Sequence, residues 1–364
     1  MQSVVNHKFV RQNNQREGNG ISDETENFYL IFFVRYLTGR KRISIFVATN
    51  LPRFPSEQRA QGKYFFYPHM KHYTERPLTV DEQIELLKQR GLNFADENKA
   101  YHVLSHVSYF RLKSYLTPLT SNKEQWIFKA SATFETAYRL YKFDSKLRKL
   151  IAAESEKVEV SIRTQMAYQL AKDYGTFWFL NKDNFTNLEK HTNLLASISA
   201  ELTRSDDDQI LRFKREYDDE MPPAWMTMEV SSFGTLSMLY NYFRPGHTKR
   251  EIAKFYGVSD SVFESWLHSI VYVRNICAHH SRLWNRALRI RPLFPRKTLK
   301  PFLSVATINN RVYYVLSIIQ YLLQTINPSS TFPTRLKQLI ADFPEVDLSA
   351  MGFPKNWESE PLWR

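Results

Sequence analysis

The stretch SATFETAYRLYKFDSKLRKLIAAESEKVEVSIRTQMAYQLAK, residues 131–172, decides the fold class. It contains neither Gly nor Pro and is rich in Glu, Lys, Ala and Leu, which lose little conformational freedom in a helix. It predicts a long helix with at most one break. Upstream, Thr79-Val80-Asp81-Glu82 has the form of a capping box: the Thr hydroxyl accepts from the third helical N–H and Glu82 reaches back. Ile84, Leu86 and Leu87 follow, and Gly91 stands where a helix stops. Short helices are predicted at about 96–107 and 108–116. Downstream, helical segments are predicted at 187–217, from Met221-Pro222-Pro223 with a bend at Phe233-Gly234, and near 248–256, 260–288, 308–326 and 332–342. No alternating strand of useful length, repeat or low-complexity run is apparent. The predicted class is all-α, a multi-helix domain.

Residues 1–69 read differently. They carry short apolar runs, the basic cluster Gly39-Arg40-Lys41-Arg42 and scattered prolines, with no sustained helical period. They are expected to be an irregular N-terminal extension, poorly ordered or a misplaced start. The helical domain is placed at 70–345, from Met70, and a C-terminal tail at 346–364.

Apolar residues make up 43% of the chain, with 26 Phe, 20 Tyr and 7 Trp, so there is ample material for a core. The lone cysteine, Cys277, excludes a disulfide framework and suits a reducing compartment. The most apolar run, FYLIFFVRYL (28–37), is interrupted by Arg35 and far short of the about 20 residues a membrane span needs. The start lacks a signal-peptide layout, so a cytoplasmic protein without membrane contact is expected.

The net charge is +13, and its distribution is uneven. No acidic residue lies between Glu264 and Asp342, a stretch with eleven basic residues: Arg274, Arg282, Arg286, Arg289, Arg291, Arg296, Lys297, Lys300, Arg311, Arg335 and Lys337. This fits either a solvated basic face or a phosphate-binding one.

Within that stretch, VRNICAHHSRLWNR (273–286) concentrates chemistry-bearing residues. Projected at about 100° per residue, Trp266, Ile270, Val273, Cys277 and Trp284 share one arc. His268, Asn275, His279, Arg282 and Arg286 share nearly the opposite one, and Arg274 lies between. A zinc site needs about four Cys, His or carboxylate ligands, but Cys277 points to the apolar arc, the two histidines diverge and no acid is near. No metal and no cofactor are therefore expected. A cysteine nucleophile needs an exposed thiol beside a base. REIAKFYGVSDSVFESWL (250–267) has the outline of a helix-turn-helix, yet its second helix shows Val262, Phe263, Trp266 and Leu267 where base-reading side chains are needed. A metal-free ribonuclease fits the polar arc better. His moves protons near neutral pH, Arg stabilises a pentacovalent phosphorane, and an amide such as Asn275 orients either. Two copies in a dimer would duplicate these groups. The plainer reading is a histidine satisfied at an interface among arginines that bind nothing.

Arg274-Asn275-x-x-x-His279 resembles the R-polar-x3-5-H motif of HEPN-type ribonucleases. RNICAHHSRLWNR closely resembles the signature of the Abi family, AbiD and AbiF type, of phage-abortive-infection proteins. The similarity runs over about residues 77–330, through LTVDEQ (78–83), SYFRLKSYLTPL (108–119), FDSKLRKL (143–150), VEVSIRT (158–164) and PAWMTMEVSSFGTLSMLY (223–240). The resemblance implies a helical HEPN-like endoribonuclease acting in antiphage defence or as a toxin, working as a homodimer without metal, and held in check by a cognate antitoxin, protein or RNA. It implies that Arg274 and His279 are catalytic with Asn275 assisting. Some HEPN domains only bind RNA, so a non-catalytic RNA-binding or partner-sequestering module is the alternative, and a helix-turn-helix regulator the third reading. Arg282 and Arg286 are expected to contact RNA phosphates, and Tyr109 and Arg111 to stack on and clamp a single strand. Asp144–Arg148 and Glu159–Arg163, each spaced i, i+4, are expected to be structural ion pairs. Glu229 is expected to hold Arg274 or another arginine.

Overall fold

The computed structural model describes residues 30–38, 41–49, 75–305 and 307–364. The chain divides into two compact units, Met1–Arg76 and Pro77–Arg364. In the first, strands β1 (Leu30–Thr38) and β2 (Lys41–Thr49) pair antiparallel, with Thr38 opposite Lys41. This strand pair was not foreseen from the sequence. The rest of the expected extension lies outside the described residues.

The second unit is helical, so the class is all-α. Its helices are α1 (Val80–Gln89), α2 (Glu97–Val107), α3 (Tyr109–Leu116), α4 (Phe134–Tyr174), α5 (Leu188–Arg204), α6 (Asp208–Glu216), α7 (Ala224–Val230), α8 (Phe233–Tyr242), α9 (His247–Phe255), α10 (Asp260–Ala278), α11 (Val312–Ile326) and α12 (Phe332–Ala341). A two-stranded ribbon, β3 (Thr120–Asn122) and β4 (Ile127–Phe128), joins α3 to α4. Among the described residues, no helix is long and apolar enough to cross a membrane.

Local chemistry sets the helix ends. Thr79 and Glu82 close their capping box at 3.2 and 2.8 Å, and Gly91 follows α1 with φ +87°. The Phe233-Gly234 bend is a full break: α7 ends at Val230, and the Ser232 hydroxyl caps α8 through the Thr235 N–H.

Helix α4 is unbroken over 41 residues, about 60 Å. It packs against α3, α7, α9, α10, α11 and α12. Its buried positions recur at i, i+3 and i+4, and the stripe includes Asp144, Arg148, Glu154 and Ser155. Helix α11 is buried on every side from Val312 to Leu323, as befits a helix at the centre of a layered core. The expected tail at 346–364 belongs to that core instead. Met351, Phe353, Trp357, Leu362 and Trp363 are buried, and Trp363 donates to the Tyr313 hydroxyl at 3.1 Å.

Candidate functional site

Helix α10 starts on a Ser259 cap and buries Val262, Phe263, Trp266, Leu267, Ile270, Val273 and Cys277. Val262, Phe263, Trp266 and Leu267 lie inside, so none of these four side chains is available to read a base edge. The thiol of Cys277 is pushed up to about 12, first by burial and then by the nearby Asp144 charge, with Arg148 opposing. It stays protonated near neutral pH and is no nucleophile. Among the described residues, no group of three or more His, Cys, Asp or Glu is arranged to hold a metal ion.

The helix ends at Ala278, ten residues before the expected 288. The terminating turn has the paired bonds of a Schellman motif: His280 N–H donates to the Cys277 carbonyl and Ser281 N–H to the Ile276 carbonyl, both at 3.0 Å. The residue in the left-handed conformation is His280, φ +54°, where Gly is usual. That costs roughly 1 kcal/mol, offset by the satisfied carbonyls. His279 is the last residue before the reversal and its side chain is exposed, as are Asn275 and Ala278.

Arg274 does not reach round to His279. Its Nη2 donates to Glu159 Oε2 at 3.1 Å and its Nη1 to Asn275 Oδ1 at 3.3 Å. The other oxygen of Glu159 accepts from Arg163 Nη2 at 3.0 Å, and Arg163 also donates to the Ser231 carbonyl at 3.1 Å. Glu229 lies 3.8 Å from Arg163, so of the arginines it is Arg163, not Arg274, that it reaches. The Glu159–Arg163 pair is thus part of a chain that fixes Arg274. The Arg274 side chain keeps 36% of its surface exposed, on a shallow cavity of about 270 Å³ lined by Ala152, Glu156, Glu159, Arg274 and Ala278. Glu156, on the same wall, is exposed.

Asp144 fixes the segment after the helix. It is fully buried and accepts from Trp284 N–H at 2.7 Å, Leu283 N–H at 3.1 Å, the Tyr115 hydroxyl at 2.5 Å and Arg148. Burial, and then Asp144, hold the Tyr115 hydroxyl well above the ordinary tyrosine range, so it remains a donor. Tyr115 and Trp284 stack with centroids 6.4 Å apart. Arg111 joins from α3, its Nη1 donating to the His280 carbonyl at 2.6 Å.

The other residues expected to contact RNA have partners within the protein. Because α10 stops at Ala278, Arg282 and Arg286 are not on its polar arc. Arg282 donates to the Trp284 and Asn285 carbonyls, both at 3.1 Å, and Arg286 to the Arg282 carbonyl at 3.2 Å. Tyr109 is half-buried beside Arg90. Sequence spacing missed Glu159 and Asp144 as partners of the motif: i, i+4 spacing shows one neighbour of a carboxylate and is silent on its remaining lone pairs.

Glu159→Gln should leave one arginine short of its counter-charge and free Arg274 to swing. For a site in which Arg274 acts on a substrate, turnover should fall about 10- to 100-fold with little change in substrate affinity, as positioning residues a step away from the chemistry commonly show. Single-turnover kinetics check this; an unchanged rate would make the bridge a packing feature only.

The sequence profile of one protein family, described as Abi-like protein, matches residues 102–285, about half the chain and all of the 274–284 region. No curated protein and no solved structure matches the chain.

Proposed function

The chain belongs to the Abi-like protein family, which points to abortive infection, and on that premise we propose that it is an endoribonuclease of antiphage defence or a toxin system. The observation that carries this reading is the end of α10. The exposed His279 is the next residue in the chain after Ala278, which lines the same cavity as the fixed, part-exposed guanidinium of Arg274.

The proposed reaction uses the RNA's own 2′-hydroxyl. The 2′-oxygen bonds to the adjacent phosphorus as its proton leaves. The phosphorane that forms carries its charge against Arg274. The P–O5′ bond then breaks and the 5′-oxygen takes a proton, leaving a 2′,3′-cyclic phosphate. His279 serves as the general acid/base, and Asn275 holds Arg274 through its amide oxygen. A homodimer would set two such histidines at one cleft, one for each proton transfer. This route runs without a metal, and an antitoxin would act by covering the cleft.

One observation favours a second reading. Glu159 already neutralises part of the Arg274 charge, which suits a module that binds RNA or a partner without cutting. The two readings separate in one assay. Purified full-length protein, labelled single-stranded RNA and excess EDTA should yield fragments ending in 2′,3′-cyclic phosphate, while DNA of the same sequence stays intact. Bound but uncut RNA would favour the second reading. Loss of cutting in EDTA that returns with a divalent ion would contradict the proposed chemistry.

A further inference from the structure

We propose that residues 289–300 form a fixed platform for single-stranded RNA, lying along α10 and away from His279; this rests on the reading of the protein as RNA-directed. The segment is neither helix nor strand. It is nonetheless held at several points. Leu293 N–H donates to Ser265 Oγ at 2.9 Å, and the Leu293 carbonyl accepts from Trp266 Nε1 at 2.9 Å and the Tyr314 hydroxyl at 3.1 Å. Asn309 donates to the Pro292 carbonyl at 2.9 Å, and Lys300 Nζ to the Gln324 carbonyl at 2.6 Å. Leu299 N–H donates to the Gly257 carbonyl at 2.9 Å. Gly257 is required there, with φ +79° and the Tyr321 hydroxyl only 2.6 Å from where a Cβ would stand. Pro292 and Pro295 stiffen the run further.

What this anchored segment presents to solvent is cationic and apolar at once. Arg289, Arg291, Arg296 and Lys297 are exposed, and none makes a side-chain hydrogen bond or ion pair among the described residues. Between them stand Leu293 at 50% exposure and Phe294 at 53%, with Leu299 at 78% just beyond. The carboxylate bound to the next stretch, Glu360, is itself buried and taken up by Ser304 and Val305 N–H groups. Four free cations interleaved with an exposed aromatic ring match a single strand, whose phosphates meet the cations while an unstacked base lies on the ring. A duplex hides its base faces and would leave Phe294 and Leu293 unused. The segment meets α10 at Ser265 and Trp266, fourteen residues before His279, or on the order of 20 Å along the helix. A strand must therefore be several nucleotides long to touch platform and His279 together.

The test measures binding, so it does not depend on cleavage. Full-length His279→Ala protein is titrated against a labelled single-stranded 12-mer RNA, its duplex, and phosphatidylserine vesicles, at several salt concentrations. Replacing Arg289, Arg291, Arg296 and Lys297 together by Ser should flatten the single-strand salt slope by roughly 2–3 units, at about 0.7 per phosphate contact. Phe294→Ala should weaken single-strand binding about 5- to 100-fold and leave duplex binding unchanged, while Phe294→Trp retains it. Phe294 also packs edge-on to Tyr314; if the alanine variant melts early, the tryptophan and four-cation variants decide. Unaltered slope and affinity in both, equal losses for duplex, or losses confined to vesicles overturn the platform while leaving the RNA reading standing. A parent protein that binds no RNA at all overturns both.

Discussion

His279→Ala is expected to lower the rate of RNA cleavage by about 100- to 10,000-fold, the usual contribution of a positioned general acid/base. It should do so without unfolding the protein. The His279 side chain is exposed and makes no hydrogen bond within the described residues, so the change in stability should stay within about 0.5 kcal/mol. The strained neighbour, His280, gives the contrasting control. Its backbone φ of +54° suits Gly, and its side chain is exposed, so His280→Gly should keep activity and gain a few tenths of a kcal/mol. Cleavage by wild type, His279→Ala and His280→Gly, measured beside thermal melts, separates the adjacent histidines. Equal loss in both variants would mean that the turn matters and the imidazole does not.

Asp144→Asn is expected to be the most destabilising single change at the motif, at about 3–5 kcal/mol, because it leaves Arg148 charged and buried without its partner. Asp144 also accepts the N–H groups of Leu283 and Trp284, whereas Arg148 has no role in that turn beyond Asp144 and Tyr115. Arg148→Met should therefore cost less than Asp144→Asn, since the carboxylate keeps its other donors. Asp144→Leu/Arg148→Met, which removes both charges, should recover only part of the loss. Two buried N–H groups would stay unsatisfied, at about 1–3 kcal/mol each. Denaturant midpoints for the three variants check the order. Full recovery in the double variant would reduce Asp144 to half of an ion pair.

The sequence disclosed the helices wherever a physical punctuation mark was present. The absence of Gly and Pro gave α4, the capping box gave α1, and the Pro pair placed α7. It failed at the end of α10 because the mark is missing: His280 occupies the left-handed position with a side chain that gives no hint of it. That single error carried Arg282 and Arg286 onto a helical arc they do not share. The order around 346–364 was legible in part, since Met351, Phe353, Trp357 and Trp363 are core residue types, but short 3-10 turns give no period to read. Arg274, Asn275 and His279 were visible as residue types at a spacing. Glu159, which holds Arg274, and Asp144, which holds the backbone of Leu283 and Trp284 just after the turn, come from α4 and lie over a hundred positions away in the chain, a closeness only the fold creates.

The most direct test of the proposed chemistry uses a DNA oligonucleotide carrying one ribonucleotide, incubated with wild-type protein and with His279→Ala. Wild type should cut once, immediately 3′ of the ribonucleotide, leaving a 2′,3′-cyclic phosphate there, and His279→Ala should leave the strand whole. Cleavage at deoxynucleotide linkages, or equal cutting by both proteins, would contradict a reaction driven by the 2′-hydroxyl and His279.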